Sequence, residues 1–233
     1  MSWFTELEIE ALVLSLRVAF WAMLWSLPIG IAIAWLLARR NFWGKSLLDA
    51  LVHVPLVVPP VVVGYVLLVL LGRRGPVGGW LFENFDITIA FTWRGAVIAS
   101  AVMGFPLMVR AIRLSIEAVD PGLEAAARTL GAGPLAVFFT ITLPLAGSGI
   151  LTGAILAFAR SLGEFGATIT FVSNIPGETR TLPIALYGLA QVPGGEDAAL
   201  RIVLISVALA FAALFASEII ARRMRARIQG ARQ

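Results

Sequence analysis

The chain has 233 residues, of which 59% are hydrophobic and 14% charged, with a net charge of +4. Soluble domains are about 45–50% apolar and roughly 25% charged, so much of this surface must face lipid rather than water. No cysteine and a single histidine, His53, exclude disulfides, thiolate catalysis, cysteine metal sites and paired axial haem ligation.

The length suits one domain over 1–233. At the N-terminus Glu6, Glu8 and Glu10 stand where a cleavable signal peptide would be basic. A bilayer core takes about 20 apolar residues per helix. The uncharged run from Val18 to Ala38 meets that length and predicts a first span over 11–38. Arg39, Arg40 and Lys45 follow it as cytoplasmic anchors. A second span is expected over 52–71. Pro55, Pro59 and Pro60 break it, because each proline removes a backbone donor. That leaves two readings for Pro59 and Pro60: a kinked helix lining a gate, or a kink repaired by neighbouring helices.

The third span is expected over 88–112, interrupted by Arg94. The uncharged stretch from Thr129 to Ala159 is too long for one simple span. Pro134 and Pro144 divide it into a short segment and a span over 144–162. The last span is expected over 200–221. The reading is an all-α membrane protein: a five-span transmembrane helical bundle with a short cytoplasmic helix between spans three and four. Between the last two spans, residues 161–199 are broken by glycine and proline. They are either an ordinary outer loop or a re-entrant piece on a translocation path, since non-helical backbone at membrane depth survives only when buried in protein or lining a wet cavity. No internal repeat is visible, which argues against a secondary carrier built from inverted repeats.

Orientation follows from the basic residues. The stretches 39–46, 110–134 and the C-terminus carry eleven of the eighteen Lys and Arg residues. An excess of Lys and Arg marks the cytoplasmic side, so the N-terminus is expected outside and the C-terminus inside. Arg222, Arg223, Arg225, Arg227 and Arg232 follow an apolar run and read as anchors. No basic face for nucleic acid is evident. The seven tryptophans, Trp3, Trp80 and Trp93 among them, fit interfacial belts.

The cytoplasmic loop 120–135 is the most informative segment. Asp120 is a good N-cap and Pro121 suits the first helical position. Glu124 lies in the first turn, where the helix dipole favours a negative charge. Ala125, Ala126 and Ala127 are strong helix formers. Gly131 is placed to turn the chain at positive φ. Leu123, Ala127 and Leu130 share one face. A helix this short is marginal alone, so it packs either on its own membrane domain or on a partner.

This loop resembles the cytoplasmic signature of permeases in binding-protein-dependent ABC importers: E-A-A, three residues, G, nine residues, I-x-L-P. Gly131 is followed after nine residues by Ile141, Leu143 and Pro144. Ala126 and Ala127 occupy the alanine slots. Ala125 stands in the acidic slot, with Glu124 one place earlier. The resemblance implies a coupling helix that docks into a separate ATPase subunit. ATP and magnesium are then used by that partner, and no cofactor is expected on this chain. Gly44-Lys45-Ser46 does not complete a phosphate-binding loop, since Arg39 stands where the first glycine is required and no strand precedes it.

Longer stretches resemble the molybdate branch of these permeases: VPLVVPPVVVGYVLLVLLGRRGPVG (54–78), VMGFPLMVRAIRLSIEAVD (102–120), RSLGEFGATITFVSNIPGETRTLP (160–183) and QVPGGE (191–196). Sulfate and tungstate permeases look similar. The resemblance implies a homodimer in the bacterial inner membrane, working with two ATPase copies and a periplasmic molybdate-binding protein. Arg160 and Glu164 are four apart on one helix face and can pair. A bare Glu164 would repel an oxyanion dianion, so a structural or gating pair is the preferred reading. Thr168, Thr170 and Ser173 either offer neutral donors to a passing anion or only satisfy neighbouring helices. A membrane enzyme would need clustered acids, histidines or a nucleophile with its base, and these are scattered or absent. A self-sufficient channel or carrier is the third class, distinguished by transport without an ATPase.

Overall fold

The structure, a computed structural model, describes residues 5–230. Among them every regular element is helical. Helix α1 spans Glu6–Arg39. It starts earlier than the apolar run alone indicates because Thr5 and Glu8 form a reciprocal capping box over its first turn. Gly44, at φ +90°, then starts α2 (Lys45–Val57). Pro55 lies inside α2 without ending it. The break comes at Pro59, the cap of α3 (Pro60–Leu71), where Pro60 fills the first helical position. The two helices meet at 115°, so the expected span 52–71 is a sharply broken pair rather than a kinked rod.

Helix α4 (Pro76–Phe85) lies in a stretch assigned to no element from the sequence. It leads to α5 (Trp93–Glu117), capped by the Thr92 hydroxyl on the Gly95 N–H. The loop helix α6 (Pro121–Thr129) follows. Next come α7 (Pro134–Val137), a π-helical turn (Phe138–Thr142), α8 (Leu143–Leu145) and α9 (Gly147–Leu162). The bend of 69° between 134–145 and α9 falls after Leu145, not at Pro144 as the sequence suggested. Helices α10 (Gly166–Val172), α11 (Leu182–Ala190) and α12 (Glu196–Gly230) complete the order.

Helices α1 and α5 are each long and apolar enough to cross a membrane alone, and each bent pair forms one further broken span or a re-entrant loop. Helix α5 is the axis of the bundle, with α1 and α9 packed along it. Its apolar window is 61% buried within the chain, against 28% for α1. The outward residues of α1 and α3 include Trp25, Ile29, Tyr65 and Val69, an apolar surface suited to lipid or another protein.

Residues 161–199 are not an ordinary outer loop. Phe171, Val172, Leu182, Ile184 and Ala185 are buried in the bundle. Helix α10 packs on α3 and α5, while α11 packs on α12 and α1. The α3–α10 crossing is close because Gly64 faces the Ala167 backbone, where any Cβ would collide. Small residues serve this purpose in membrane bundles, where lipid competes with apolar side chains and close backbone approach supplies the attraction.

Candidate functional site: the loop helix and the buried carboxylates

The loop helix is built from local rules. The Asp120 carboxylate accepts the Gly122 N–H at 2.8 Å, and Pro121 occupies the first helical position. At the other end Gly131 has φ +89°, its N–H donates to Arg128 O, and the Ala132 N–H donates to Ala127 O at 3.0 Å. These two bonds are a Schellman closure, which needs the left-handed conformation glycine adopts freely.

Leu123 is 49% exposed and Leu130 89% exposed. Ala125 and Ala126 are exposed as well, and Ala127 is half-buried. The alternative in which the apolar stripe lies against its own membrane domain therefore fails for Leu123 and Leu130. Downstream, Ile141 and Leu143 are half-buried and Pro144 is exposed.

The face that does turn inward is carried by Glu124, only 5% exposed. Its carboxylate accepts the Arg39 Nε–H at 3.1 Å and the Thr142 hydroxyl at 2.8 Å. Arg39 also donates to Val119 O at 2.8 Å. Arg128 approaches the second carboxylate oxygen at 3.5 Å. One side chain thus joins the loop helix to the end of α1 and to the π-helical turn. Sequence reading missed Arg39 and Thr142 as partners. The sequence marks Arg39 as a membrane anchor, and Thr142 is the unassigned position between Ile141 and Leu143. Only the Arg128 contact, four residues along the helix, had a spacing signal.

A second carboxylate is buried at the α9–α10 junction. Glu164 is 2% exposed. One oxygen accepts the Ala167 N–H at 2.8 Å, capping α10. The Arg160 guanidinium lies 2.7 Å from the other, close enough for an ion pair though not aligned as a hydrogen bond. The expected i,i+4 pair is present. The nearby hydroxyls turn back onto their own helix: Thr168 donates to Phe165 O and Thr170 to Gly166 O, each at 2.8 Å. Thr168 is buried, Thr170 half-buried and Ser173 exposed at φ 63°. Pro60 packs against Gly166, so the α2–α3 break and the α9–α10 break meet at one level of the bundle.

At the opposite end of α1, Glu8 takes a 2.6 Å hydrogen bond from Arg201 of α12. Burial works against its charged form. The Arg201 bond and the Thr5 N–H outweigh that and hold its pKa below the ordinary glutamate value.

Apolar helices broken at facing glycines and prolines, with a capped helix displaying exposed leucines, fit a helical membrane protein. The chain belongs to the family of binding-protein-dependent transport system inner membrane components, whose model matches residues 26–226. It is 64% identical over 96% of its length, and 97% of the relative's, to the molybdenum transport system permease protein ModB of Escherichia coli (strain K12). The corresponding protein of Haemophilus influenzae is 56% identical over 95% of this chain and 97% of that one. Among solved structures, a bacterial ABC transporter that imports alginate superposes with TM-score 0.76 at 19% identity, covering 94% of this chain and 80% of that chain.

Proposed function

We propose that the chain is the inner-membrane permease subunit of an ATP-driven molybdate importer. The observation that carries this reading is the 64% identity, over 96% of the chain, to a molybdenum transport permease. In this reading five spans place the N-terminus outside and the C-terminus in the cytoplasm. Two copies of the chain enclose the path, two copies of a separate ATPase bind ATP and magnesium, and a periplasmic binding protein delivers the oxyanion. This chain itself holds no cofactor.

Helix α6 is the coupling element. Leu123 and Leu130, exposed on one side, are what an ATPase groove would cover. Glu124, tied to Arg39 and Thr142 on the other side, makes α6 a lever rather than a loose loop. When the ATPase subunits move, the end of α1 and the π-helical turn move with it. The Pro59–Pro60 break opposite Gly166 supplies a hinge level where small backbone rotations open or close the path. The anion meets a neutral hydroxyl such as that of the exposed Ser173 rather than a bare carboxylate, because Arg160 neutralises Glu164. Weak, neutral contacts suit passage, since an ion must leave as well as enter.

Reconstitution of the permease with its ATPase and binding protein tests the reading. ATP-dependent uptake of molybdate is expected, with tungstate accepted as a dianion of nearly the same size and charge. Uptake of sulfate without molybdate would overturn the substrate and leave the family intact. Transport by the permease alone would overturn the coupling. Single cysteines test topology: positions 2 and 196 should react with an impermeant thiol reagent on spheroplasts, and 45 and 230 should not.

A further inference from the structure

An apolar trough of about 590 Å³ runs along the second half of α1, between Ile31, Ala32 and Trp35 on one side and Leu135, Phe138 and Phe139 on the other. The floor is aromatic: Trp35 meets Phe138 edge to face at 5.8 Å, and Phe138 meets Phe139 at 5.0 Å. At its end the trough opens into a second, polar cavity of about 450 Å³, which shares Trp35, Pro134 and Phe138 with it. That cavity is lined by Arg39, Arg40 and Arg128. Glu124 is its one carboxylate, already held by Arg39. Three guanidiniums against one carboxylate leave an excess of two positive charges. Arg40 makes no ion pair among the described residues and lies 5.4 Å from the Trp35 ring centre. Trp43, just beyond, is fully exposed, as suits a tryptophan at a membrane interface.

We infer that this composite groove binds one anionic phospholipid of the inner leaflet, its phosphate at Arg40 and Arg128 and an acyl chain along Trp35 and Phe138. The inference rests on the topology proposed above, which puts the ends of α1 and α6 at the cytoplasmic surface. The charge decides the lipid class: an acyl chain alone would accept any phospholipid, whereas basic residues beside an apolar trough prefer an anionic head group. The continuity of the two cavities decides for lipid over a soluble anion, which would leave the trough unfilled. Because the phosphate position adjoins the Arg39–Glu124 contact, an occupied groove braces the root of the coupling helix.

The test uses the purified permease–ATPase complex, incubated with phosphatidylglycerol or phosphatidylethanolamine and read by native mass spectrometry. Wild type should retain phosphatidylglycerol preferentially. Arg40→Gln should lower that retention about five-fold, the factor for one basic residue at an anionic surface, and leave phosphatidylethanolamine unchanged. Ala32→Trp fills the trough without touching a charge and should abolish retention of both. A monodisperse size-exclusion peak of the permease in detergent serves as the folding control for each variant. Equal retention of the two lipids, or indifference to both substitutions, overturns the inference. So does displacement of the lipid by free molybdate or phosphate, which would make this a soluble-anion site. A disulfide from Phe139→Cys to a second copy or to the ATPase would make the trough a protein interface and overturn it too. A wrong topology would show separately, as labelling of position 45 from outside.

Discussion

Two buried glutamates carry this molecule in different ways. Glu164 draws all its partners from its own stretch of chain: Arg160 four residues before it and the Ala167 N–H three residues after. Glu124 reaches Arg39, 85 positions away, and Thr142, 18 positions away. The first is a local cap with a counter-charge, and it holds one helix start. The second is a tertiary strut, and it holds three elements in one geometry. The difference shows how a short surface helix can be rigid enough to transmit force. Its own hydrogen bonds are too few, so the rigidity is borrowed from α1 and the π-helical turn through one carboxylate.

The comparison breaks most visibly at Glu124. Glu124→Ala leaves the Thr142 hydroxyl unpaired and Arg39 without its counter-ion. Removing one member of a buried pair costs about 3–5 kcal/mol. Thermal unfolding in detergent should fall accordingly, and ATPase co-purification should fall with it. Combining Glu124→Ala with Arg39→Ala should cost less than the two single losses together, because both remove the same contact. An additive result would mean the strut is not one.

Glu164→Ala is the matched experiment on the local side. It orphans the Ala167 N–H and frees Arg160, which is partly exposed and can turn to water. About 1–3 kcal/mol is expected, with ATPase binding retained. A larger loss than for Glu124→Ala would reverse the ranking of the two sites.

Gly131→Val probes the loop helix without touching either carboxylate. The space around Gly131 is empty, so the cost is backbone only: about 1–2 kcal/mol for forcing a side chain into the left-handed region. The membrane bundle should unfold at its wild-type temperature while ATPase co-purification and substrate-stimulated hydrolysis drop. Wild-type coupling would remove α6 from the coupling role. Asp120→Ala deletes only the cap on the Gly122 N–H and should act in the same direction with about 1 kcal/mol.

The smallest effect is expected at Glu8, a buried carboxylate whose partner lies 193 positions away. Its partner Arg201 is 47% exposed, so water screens the pair. With its folded pKa below 4.5, Glu8 contributes fully above that value and loses its contribution as pH falls through the lower folded pKa. The gap in unfolding temperature between wild type and Arg201→Gln should hold from pH 7 to about 4.5 and close at lower pH. A gap that persists in acid would mean that Arg201 acts through packing instead.

Much of the architecture was written locally. Apolar runs placed the long helices though not α4, Asp120 and Gly131 bounded the loop helix, and Glu164 found Arg160 because i and i+4 share a helix face. The Gly131 spacing to Ile141, Leu143 and Pro144 carried the family. All of these are interactions within a few turns, where sequence separation fixes geometry. The tertiary structure decided the rest: that Glu124 faces inward to Arg39, that Leu123 and Leu130 face outward, and that Gly64 seats Ala167. It also decided that residues 161–199 fold into the bundle rather than over it, and that the prolines at 59 and 60 end one helix and start another. No spacing rule reaches across 85 residues. Which arginine meets a buried carboxylate depends on how α1, α6 and the π-helical turn pack, and low-dielectric burial then selects the arrangement that leaves that charge paired.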